Sequence, residues 1–189
     1  MKEVEDRILR DGRALNQDVL LVDSFLNHRV DPVLMEHAGQ DIAEHFKDRG
    51  VTIVATIESS GIAPALMAAK YLNVPMLTMK KAASAIQNGS LLSTNVHSFT
   101  KNKDYTLTCK PQYLPAGSKV LFVDDFLAMG EAALGAARII EEAGCTLVGC
   151  AIFIEKSFQP GRGILEDKGY EVYSLARVAH MDEGVITFA

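Results

Sequence analysis

The sequence predicts an α/β protein whose parallel β-sheet carries helices on both faces. Apolar strand-like runs alternate with helix-like runs along most of the 189 residues, an order typical of parallel sheets. The strand-like runs are apolar almost throughout rather than at every second position, as expected for strands covered on both faces. The length suits one domain, 1–189.

The first helices are marked by their end residues. MKEVEDRILRDG has the pattern of an amphipathic helix that ends near Gly12. A second helix is predicted over 31–50, where Asp31 can cap the first turn, Pro32 suits the first helical position and Gly50 can close the last turn.

The rest of the chain continues the alternation of strands and helices. Strands are predicted at 51–57, 74–79, 105–110, 120–125 and 146–156, and helices at 62–72 and 131–143. The polar segment 81–103 has no clear period. A loop of that length in a compact domain is usually functional or disordered.

Composition excludes several classes of protein. With 48% hydrophobic and 23% charged residues the chain reads as a soluble globular protein. No apolar stretch approaches the ~20 residues that span a bilayer, and no signal peptide is recognised. The net charge of −5 and the absence of a long basic run argue against nucleic acid as a partner. The three cysteines include no C-x-x-C pair, which disfavours a disulfide framework or a zinc site and fits a reducing cytoplasm.

Common nucleotide and metal motifs are missing from the sequence. G-x-G-x-x-G, G-x-x-x-x-G-K-[ST] and H-E-x-x-H do not occur. In an open parallel sheet, ligands bind beyond the carboxyl ends of the strands. Two loops follow strands there, ESSG (58–61) and the loop within KVLFVDDFLAMGEAA (119–133).

The second of these loops predicts a sugar-phosphate site. Asp124 and Asp125 follow an apolar strand, and residues 128–132 lead into a helix whose free N–H groups suit a phosphate. Two carboxylates would repel that phosphate unless they had another task, such as accepting hydrogen bonds from sugar hydroxyls. The alternative is that the pair simply ends a strand, with one carboxylate capping the next helix.

The pattern of strand, D-D, four residues, glycine and helix resembles the phosphoribosyl-diphosphate-binding motif of type I phosphoribosyltransferases. The version here is similar to that of the xanthine-specific subgroup, as are VDSFLNH (22–28), SFTK (98–101), IEKSFQPGR (154–162) and SLAR (174–177). Loop threonines found in many members are absent. The resemblance implies the type I phosphoribosyltransferase fold, a mostly parallel sheet flanked by helices. It also implies a small hood from about 1–30 and the C-terminal strands, and a flexible lid over about 82–103.

The resemblance also implies roles for individual residues. Asp124 and Asp125 would accept from the ribose hydroxyls and form the catalytic pair, and the purine would contact Leu20, Asn27 and Lys156. We expect Glu131 to point to solvent, and Lys80 as well as Lys81 could pair with diphosphate. The residues expected to bind phosphoribosyl diphosphate are Ala128, Met129, Gly130, Glu131, Ala132, Glu58, Ser59, Ser60, Gly61 and Lys81.

The activity implied by the resemblance is transfer of the 5-phosphoribosyl group from phosphoribosyl diphosphate to N9 of xanthine. Mg²⁺, held mainly by substrate oxygens, is the implied cofactor, and a cytoplasmic homodimer without nucleic-acid or membrane partners is the implied state. Two alternatives remain open. The base could be guanine or hypoxanthine, or the domain could sense phosphoribosyl diphosphate as purine-operon repressors do. The acidic charge, and the start of VDSFLNH at residue 22, disfavour a repressor.

Overall fold

A computed structural model describes residues 1–82, 91–98 and 103–189, of which the side chains of Ala82 and Ser98 are left out. Its helices are α1 Lys2–Asp11, α2 Pro32–Phe46, α3 Ile62–Leu72, α4 Glu131–Glu142 and α5 Gly161–Glu166. Its strands are β1 Arg13–Ala14, β2 Leu20–Leu21, β3 Ile53–Ile57, β4 Met76–Ala82, β5 Leu92–Ser98, β6 Lys103–Cys109, β7 Lys119–Leu127, β8 Thr146–Lys156, β9 Val172–Asp182 and β10 Val185–Phe188.

The main sheet has a parallel centre and antiparallel edges. Within the described residues the strand order is β10-β9-β8-β7-β3-β4-β6-β5. The run from β9 to β4 is parallel, whereas β10 pairs antiparallel with β9, and β6 pairs antiparallel with both β4 and β5. The prediction of a mostly parallel sheet flanked by helices is confirmed.

Each face of the sheet carries its own core. Along β7 the side chains alternate: Leu121 and Val123 pack on one face with α1, α2 and α3, and Val120 and Phe122 pack on the other with α4. Such alternation follows from the period of two in a strand. Because both faces are covered, the central strands are apolar along their whole length.

The residues that begin and end α2 were predicted correctly. The Asp31 side chain accepts from the N–H groups of Val33 and Leu34 at 3.1 and 3.2 Å, and Pro32 occupies the first turn. The chain leaves the helix through a short 3₁₀ turn and reaches Gly50 at φ +67°, a conformation that favours glycine.

The prediction for 81–103 as a segment without regular structure was wrong for part of it. Strand β5 pairs with β6 from Leu92↔Cys109 to Ser98↔Lys103, and β6, expected to be parallel, is antiparallel. Only four residues, 99–102, join β5 to β6, and a parallel crossover needs a dozen or more. Residues 83–90 and 99–102, the remainder of the expected lid, lie outside the described residues.

The order of the strands defines a topological switch point. The chain passes from β3 through α3 to β4 on one side, and from β7 through α4 to β8 on the other, while β3 and β7 are themselves neighbours. The loops after β3 and β7 therefore diverge and leave a crevice at their carboxyl ends. Both loops that the sequence indicated open into this crevice.

Candidate active site

A cavity of about 670 Å³ lies beyond the carboxyl ends of β3 and β7. Every residue of the predicted site lines it except Gly61, which lies beside Asp124 at its edge. The predicted residues in the lining are Leu20, Asn27, Glu58, Ser59, Ser60, Lys81, Asp124, Asp125, Ala128, Met129, Gly130, Glu131, Ala132 and Lys156.

The two carboxylates occupy different environments. Asp124 is only 7% exposed and its Oδ1 accepts from the Asp125 N–H at 3.0 Å, whereas Asp125 is half-buried and accepts from the Phe126 N–H at 3.0 Å. Burial, followed by the neighbouring Asp125 carboxylate, raises the pKa of Asp124 well above its usual value. Neither carboxylate caps α4, whose N-cap is Gly130, so the alternative of a capping aspartate is wrong.

Close packing of Gly61 holds the Asp124 side chain in place. A Cβ at Gly61 would lie 2.5 Å from the Thr56 hydroxyl and 3.0 Å from Asp124 Oδ1, so no side chain fits. The loop after β3 and the carboxylate at the end of β7 are thus in direct contact. Helix α3 begins at Ile62, and its N-cap Gly61 provides no side-chain hydrogen bond.

The loop Ala128–Ala132 leads into α4 as the sequence predicted. Gly130 adopts φ +89° at the N-cap position, and the amide groups of the first turn have no partners within the helix. Glu131 differs from expectation: it is half-buried and borders the cavity instead of pointing to solvent. A carboxylate in the first turn of a helix is stabilised by the positive end of the helix dipole.

In the loop after β3, Glu58 is turned towards strand β4. Its carboxylate accepts from the Lys81 backbone N–H at 2.8 Å and pairs with the Lys80 ammonium at 3.1 Å, and these two contacts lower the pKa of Glu58. The Glu58–Ser59 peptide bond is cis. Lys80 is engaged by Glu58 and does not line the cavity, whereas Lys81 does. The alternation of side chains along a strand separates the two lysines.

Lys156 also lines the cavity, and its neighbour Glu155 pairs with Leu127 in the ladder of β7 and β8. It ends β8, is 8% exposed, and donates to the backbone carbonyl of Asp18 at 2.5 Å. Its ammonium lies 5.6 Å from the centre of the Phe126 ring. Burial lowers the pKa of Lys156. Leu20 in β2 is buried, and Asn27 ends a π-helical turn, Asp23–Asn27.

Sequence reasoning missed several residues that border the cavity. Asp18 meets Lys156 through its backbone, which no side-chain pattern could indicate. His97 and Tyr105 belong to β5 and β6, and the Lys81 ammonium lies 5.3 Å from the centre of the Tyr105 ring. Burial, then Asp124 and Glu131, raise the pKa of Tyr105 to about 12. The period-two pattern of β6 was the available signal.

Three other properties of the described residues concern membrane spans, metal binding and cysteines. No helix in the described part of the chain is long and apolar enough to cross a membrane. Within residues 1–82, 91–98 and 103–189, no group of three or more His, Cys, Asp and Glu side chains could hold a metal ion. The three cysteines are free and buried.

Solved structures that the chain resembles include adenine phosphoribosyltransferases. The enzyme from Thermoanaerobacter pseudethanolicus superposes with a TM-score of 0.76 at 21% identity, over 92% of this chain and 99% of that one. The Giardia lamblia enzyme, complexed with 9-deazaadenine, gives 0.78 at 22% identity, over 94% and 98%. At this level of identity the likeness shows the fold alone, which is that of a type I phosphoribosyltransferase.

The sequence comparisons are more specific. Residues 32–185 match the phosphoribosyl transferase domain. Xanthine phosphoribosyltransferase 1 of Clostridium botulinum (strain Hall) is 56% identical over 188 residues, covering 100% of this chain and 99% of that protein. The xanthine phosphoribosyltransferase of Agathobacter rectalis is 53% identical, with coverages of 100% and 98%. With a domain match over most of its length and relatives this similar from end to end, the chain belongs to the phosphoribosyltransferase family and groups with its xanthine-specific members.

Proposed function

We propose that the chain transfers the 5-phosphoribosyl group from phosphoribosyl diphosphate to N9 of xanthine, releasing diphosphate and xanthosine 5′-monophosphate in purine salvage. The observation that carries the proposal is a single cavity lined by a carboxylate pair, an amide-rich loop and a buried lysine. The full-length relatives named xanthine phosphoribosyltransferase support the choice of base.

Phosphoribosyl diphosphate would bind along the loops of the switch point. Asp124 and Asp125 would accept from the ribose 2′- and 3′-hydroxyls, and the amides of Ala128–Ala132 would bind the 5′-phosphate. The loop Glu58–Gly61 and Lys81 would face the diphosphate. The Glu58 carboxylate is already bound to Lys80 and to the Lys81 backbone N–H near the end of β4. We therefore propose that Glu58 shapes this loop through its backbone and that its carboxylate does not contact the diphosphate.

Xanthine would bind between Lys156 and the N-terminal segment, which we propose as the hood together with the C-terminal strands. The Lys156 ammonium can donate to a purine carbonyl oxygen, and Asn27 offers both donors and an acceptor. Leu20 would contribute backbone groups. A buried cation also suits xanthine, which ionises readily and presents two exocyclic oxygens.

The chain would promote transfer by position and charge rather than through a covalent intermediate. As diphosphate leaves C1 of the ribose, positive charge develops on the sugar, and the nearby carboxylates stabilise it. The loops hold C1 and N9 in line, which removes much of the entropic cost of the reaction. The lid over about 82–103 remains a prediction; closing it would exclude the water that competes with the purine.

We propose that the implied Mg²⁺ is held mainly by oxygens of phosphoribosyl diphosphate and by water, as is common for this ion at phosphate substrates. Among the described residues no group of three or more His, Cys, Asp and Glu side chains could hold the ion by itself. When bound, the ion would neutralise charge on the departing diphosphate. We also propose a cytoplasmic homodimer; the free, buried cysteines are consistent with a reducing compartment.

The test is a spectrophotometric assay with Mg²⁺, phosphoribosyl diphosphate, and xanthine, guanine, hypoxanthine or adenine in parallel. We expect xanthine to be turned over with a kcat/KM well above that of the other bases. A preference for guanine would overturn the choice of base and leave the transfer in place. Binding of phosphoribosyl diphosphate without turnover of any base would overturn the enzyme proposal in favour of a sensor.

The division of roles is tested by two substitutions. Lys156→Ala should weaken binding of xanthine far more than binding of phosphoribosyl diphosphate, because we assign its ammonium to the purine oxygens. Asp125→Ala should do the reverse. Calorimetric titration with each substrate measures both affinities, and equal losses for both ligands in both variants would contradict the assignment.

A further inference from the structure

A buried carboxylate lies directly beside Lys156. Glu155 is 1% exposed and receives both arms of the Arg162 guanidinium, Nε to Oε1 at 2.8 Å and Nη2 to Oε2 at 2.6 Å. The Ser174 hydroxyl donates to Oε2 at 2.5 Å, and Arg177 Nε to Oε1 at 3.3 Å. Burial alone would raise the pKa of Glu155, but the Arg162 and Ser174 contacts outweigh it and lower that pKa. The Glu155 side chain is therefore held as a charged, fully engaged carboxylate.

The same arginine fixes the start of helix α5. Arg162 is the second residue of α5, and its Nη1 also donates to the Val172 carbonyl at 2.9 Å and to the exposed Glu166 carboxylate at 2.8 Å. The guanidinium thus ties α5 to the ends of β8 and β9. Lysine, with one compact ammonium, cannot make this planar set of contacts.

Helix α5 in turn lies against the loop that we assign to the 5′-phosphate. The Gly161 N–H donates to the Ala128 carbonyl at 3.0 Å. A Cβ on Gly161 would lie 2.3 Å from the Ala128 oxygen and 3.0 Å from the Gly130 nitrogen. The first residue of α5 is therefore in backbone contact with the phosphate loop, and a displacement of α5 would be transmitted to the loop amides.

We propose that Arg162, acting through Glu155 and Gly161, is a positioning residue that sets the phosphate loop relative to Lys156. The proposal rests on the proposed function, in which the loop holds phosphoribosyl diphosphate and Lys156 holds the purine. Glu155 precedes Lys156 in the same strand, so one ion pair joins the anchors of the two substrates. Bringing C1 and N9 into line depends on the relation between those anchors, and a misplacement of about 1 Å can lower a rate about 100-fold.

The central measurement is kcat for Arg162→Met, counted per active site by the stoichiometry of phosphoribosyl diphosphate binding in calorimetry. We expect kcat to fall at least ~10-fold while both KM values change less than ~3-fold, because each substrate still meets its own anchor. Glu166→Gln is the matched control: it removes the exposed partner of the same guanidinium, and its kcat should stay within ~2-fold of the unchanged protein.

A double variant separates positioning from stability. Arg162→Met alone removes the two-armed partner of the buried Glu155 carboxylate, which keeps the Ser174 hydroxyl and the longer contact with Arg177, and should lower the melting temperature. Adding Glu155→Gln removes that charge, so the double variant should regain melting temperature but not kcat. Recovery of kcat together with stability would overturn the proposal, since the ion pair would then serve folding alone. An unchanged kcat in stable Arg162→Met would overturn it as well.

The outcome does not depend on the identity of the base. If the unchanged protein prefers guanine, the same ratios of kcat are measured with guanine, and the choice of xanthine fails separately from the role of Arg162.

Discussion

Replacing Asp124 with asparagine should make the protein more stable and less active. The Asp124 carboxylate is 7% exposed and lies next to the Asp125 carboxylate, so its charge is disfavoured in the folded state. Asparagine has nearly the same shape, and its side-chain oxygen can still accept from the Asp125 N–H, which lies 3.0 Å from Oδ1. The substitution therefore removes the charge and little else.

The sign of the pH dependence follows from the raised pKa of Asp124. The folded protein takes up a proton at a higher pH than the unfolded chain, so stability is lost as pH rises from the unfolded pKa of about 3.9 through the raised folded pKa. Above the folded pKa the penalty is complete. We expect Asp124→Asn to gain about 1–2 kcal/mol in the free energy of unfolding at pH 8, typical of relieving a strained functional site. The gain should shrink towards pH 4, where about half of the unfolded carboxyl groups are protonated, and vanish at lower pH, where the carboxyl is protonated in both states.

The loss of activity has its own magnitude. A hydrogen bond to a charged acceptor contributes about 1.5–3 kcal/mol, so losing the charge should lower kcat/KM for phosphoribosyl diphosphate about 10- to 150-fold. Urea denaturation of the ligand-free protein between pH 4 and pH 8 measures the first effect, and steady-state kinetics the second. Asp125→Asn, at a half-buried position, is the control and should gain less stability. A gain that is absent at pH 8, or equal at every pH, would refute the electrostatic reasoning.

Three further substitutions probe neighbouring parts of the cavity. Gly61→Ala places a Cβ 2.5 Å from the Thr56 hydroxyl and 3.0 Å from Asp124 Oδ1; we expect a loss of about 1–3 kcal/mol in stability and weaker calorimetric binding of phosphoribosyl diphosphate. The pKa of Lys156 is lowered, so its ammonium should lose its proton, and the protein its affinity for xanthine, at a lower pH than an ordinary lysine, which deprotonates near 10.4. Lys156→Arg should abolish that step in the plot of xanthine affinity against pH. An identical plot for both proteins would count against the assignment. Tyr105 remains a protonated donor because its pKa is about 12. Tyr105→Phe should therefore weaken phosphoribosyl diphosphate binding about 2- to 10-fold without changing xanthine affinity. A change confined to xanthine affinity would contradict the placement of Tyr105 beside phosphoribosyl diphosphate.

Local signals in the sequence were sufficient for the elements that carry the site. The strand 146–156 was predicted at the residues that β8 occupies, and the helix 62–72 at those of α3. Both are long, strongly patterned and bounded by loop residues, so neighbouring residues decide their conformation. The loops after β3 and β7 could be assigned to the crevice because the alternation of strands and helices fixes where carboxyl ends of parallel strands lie.

Features that depend on contacts between residues far apart in the chain could not be predicted from the sequence. Strands β1 and β2 have two residues each, too few for a period to be recognised. The contact between Lys156 and the Asp18 carbonyl joins a side chain to the backbone of a remote segment. The antiparallel pairing of β6 with β4 joins residues far apart in the chain, such as Lys81 and Leu107, and no local pattern in the sequence signals it.

Two buried charges of the cavity, Asp124 and Lys156, bear on how the site is arranged. Burial disfavours the anion of Asp124 and the cation of Lys156 alike, as their opposite pKa shifts indicate, so both positions are unfavourable for folding alone. Both line one cavity, with the ribose assigned to Asp124 and the purine oxygens to Lys156. Desolvated charges that are already fixed need no reorganisation when the sugar becomes cationic and the purine loses its proton. The stability that Asp124→Asn should gain and the activity that it should lose would therefore both come from the same buried charge.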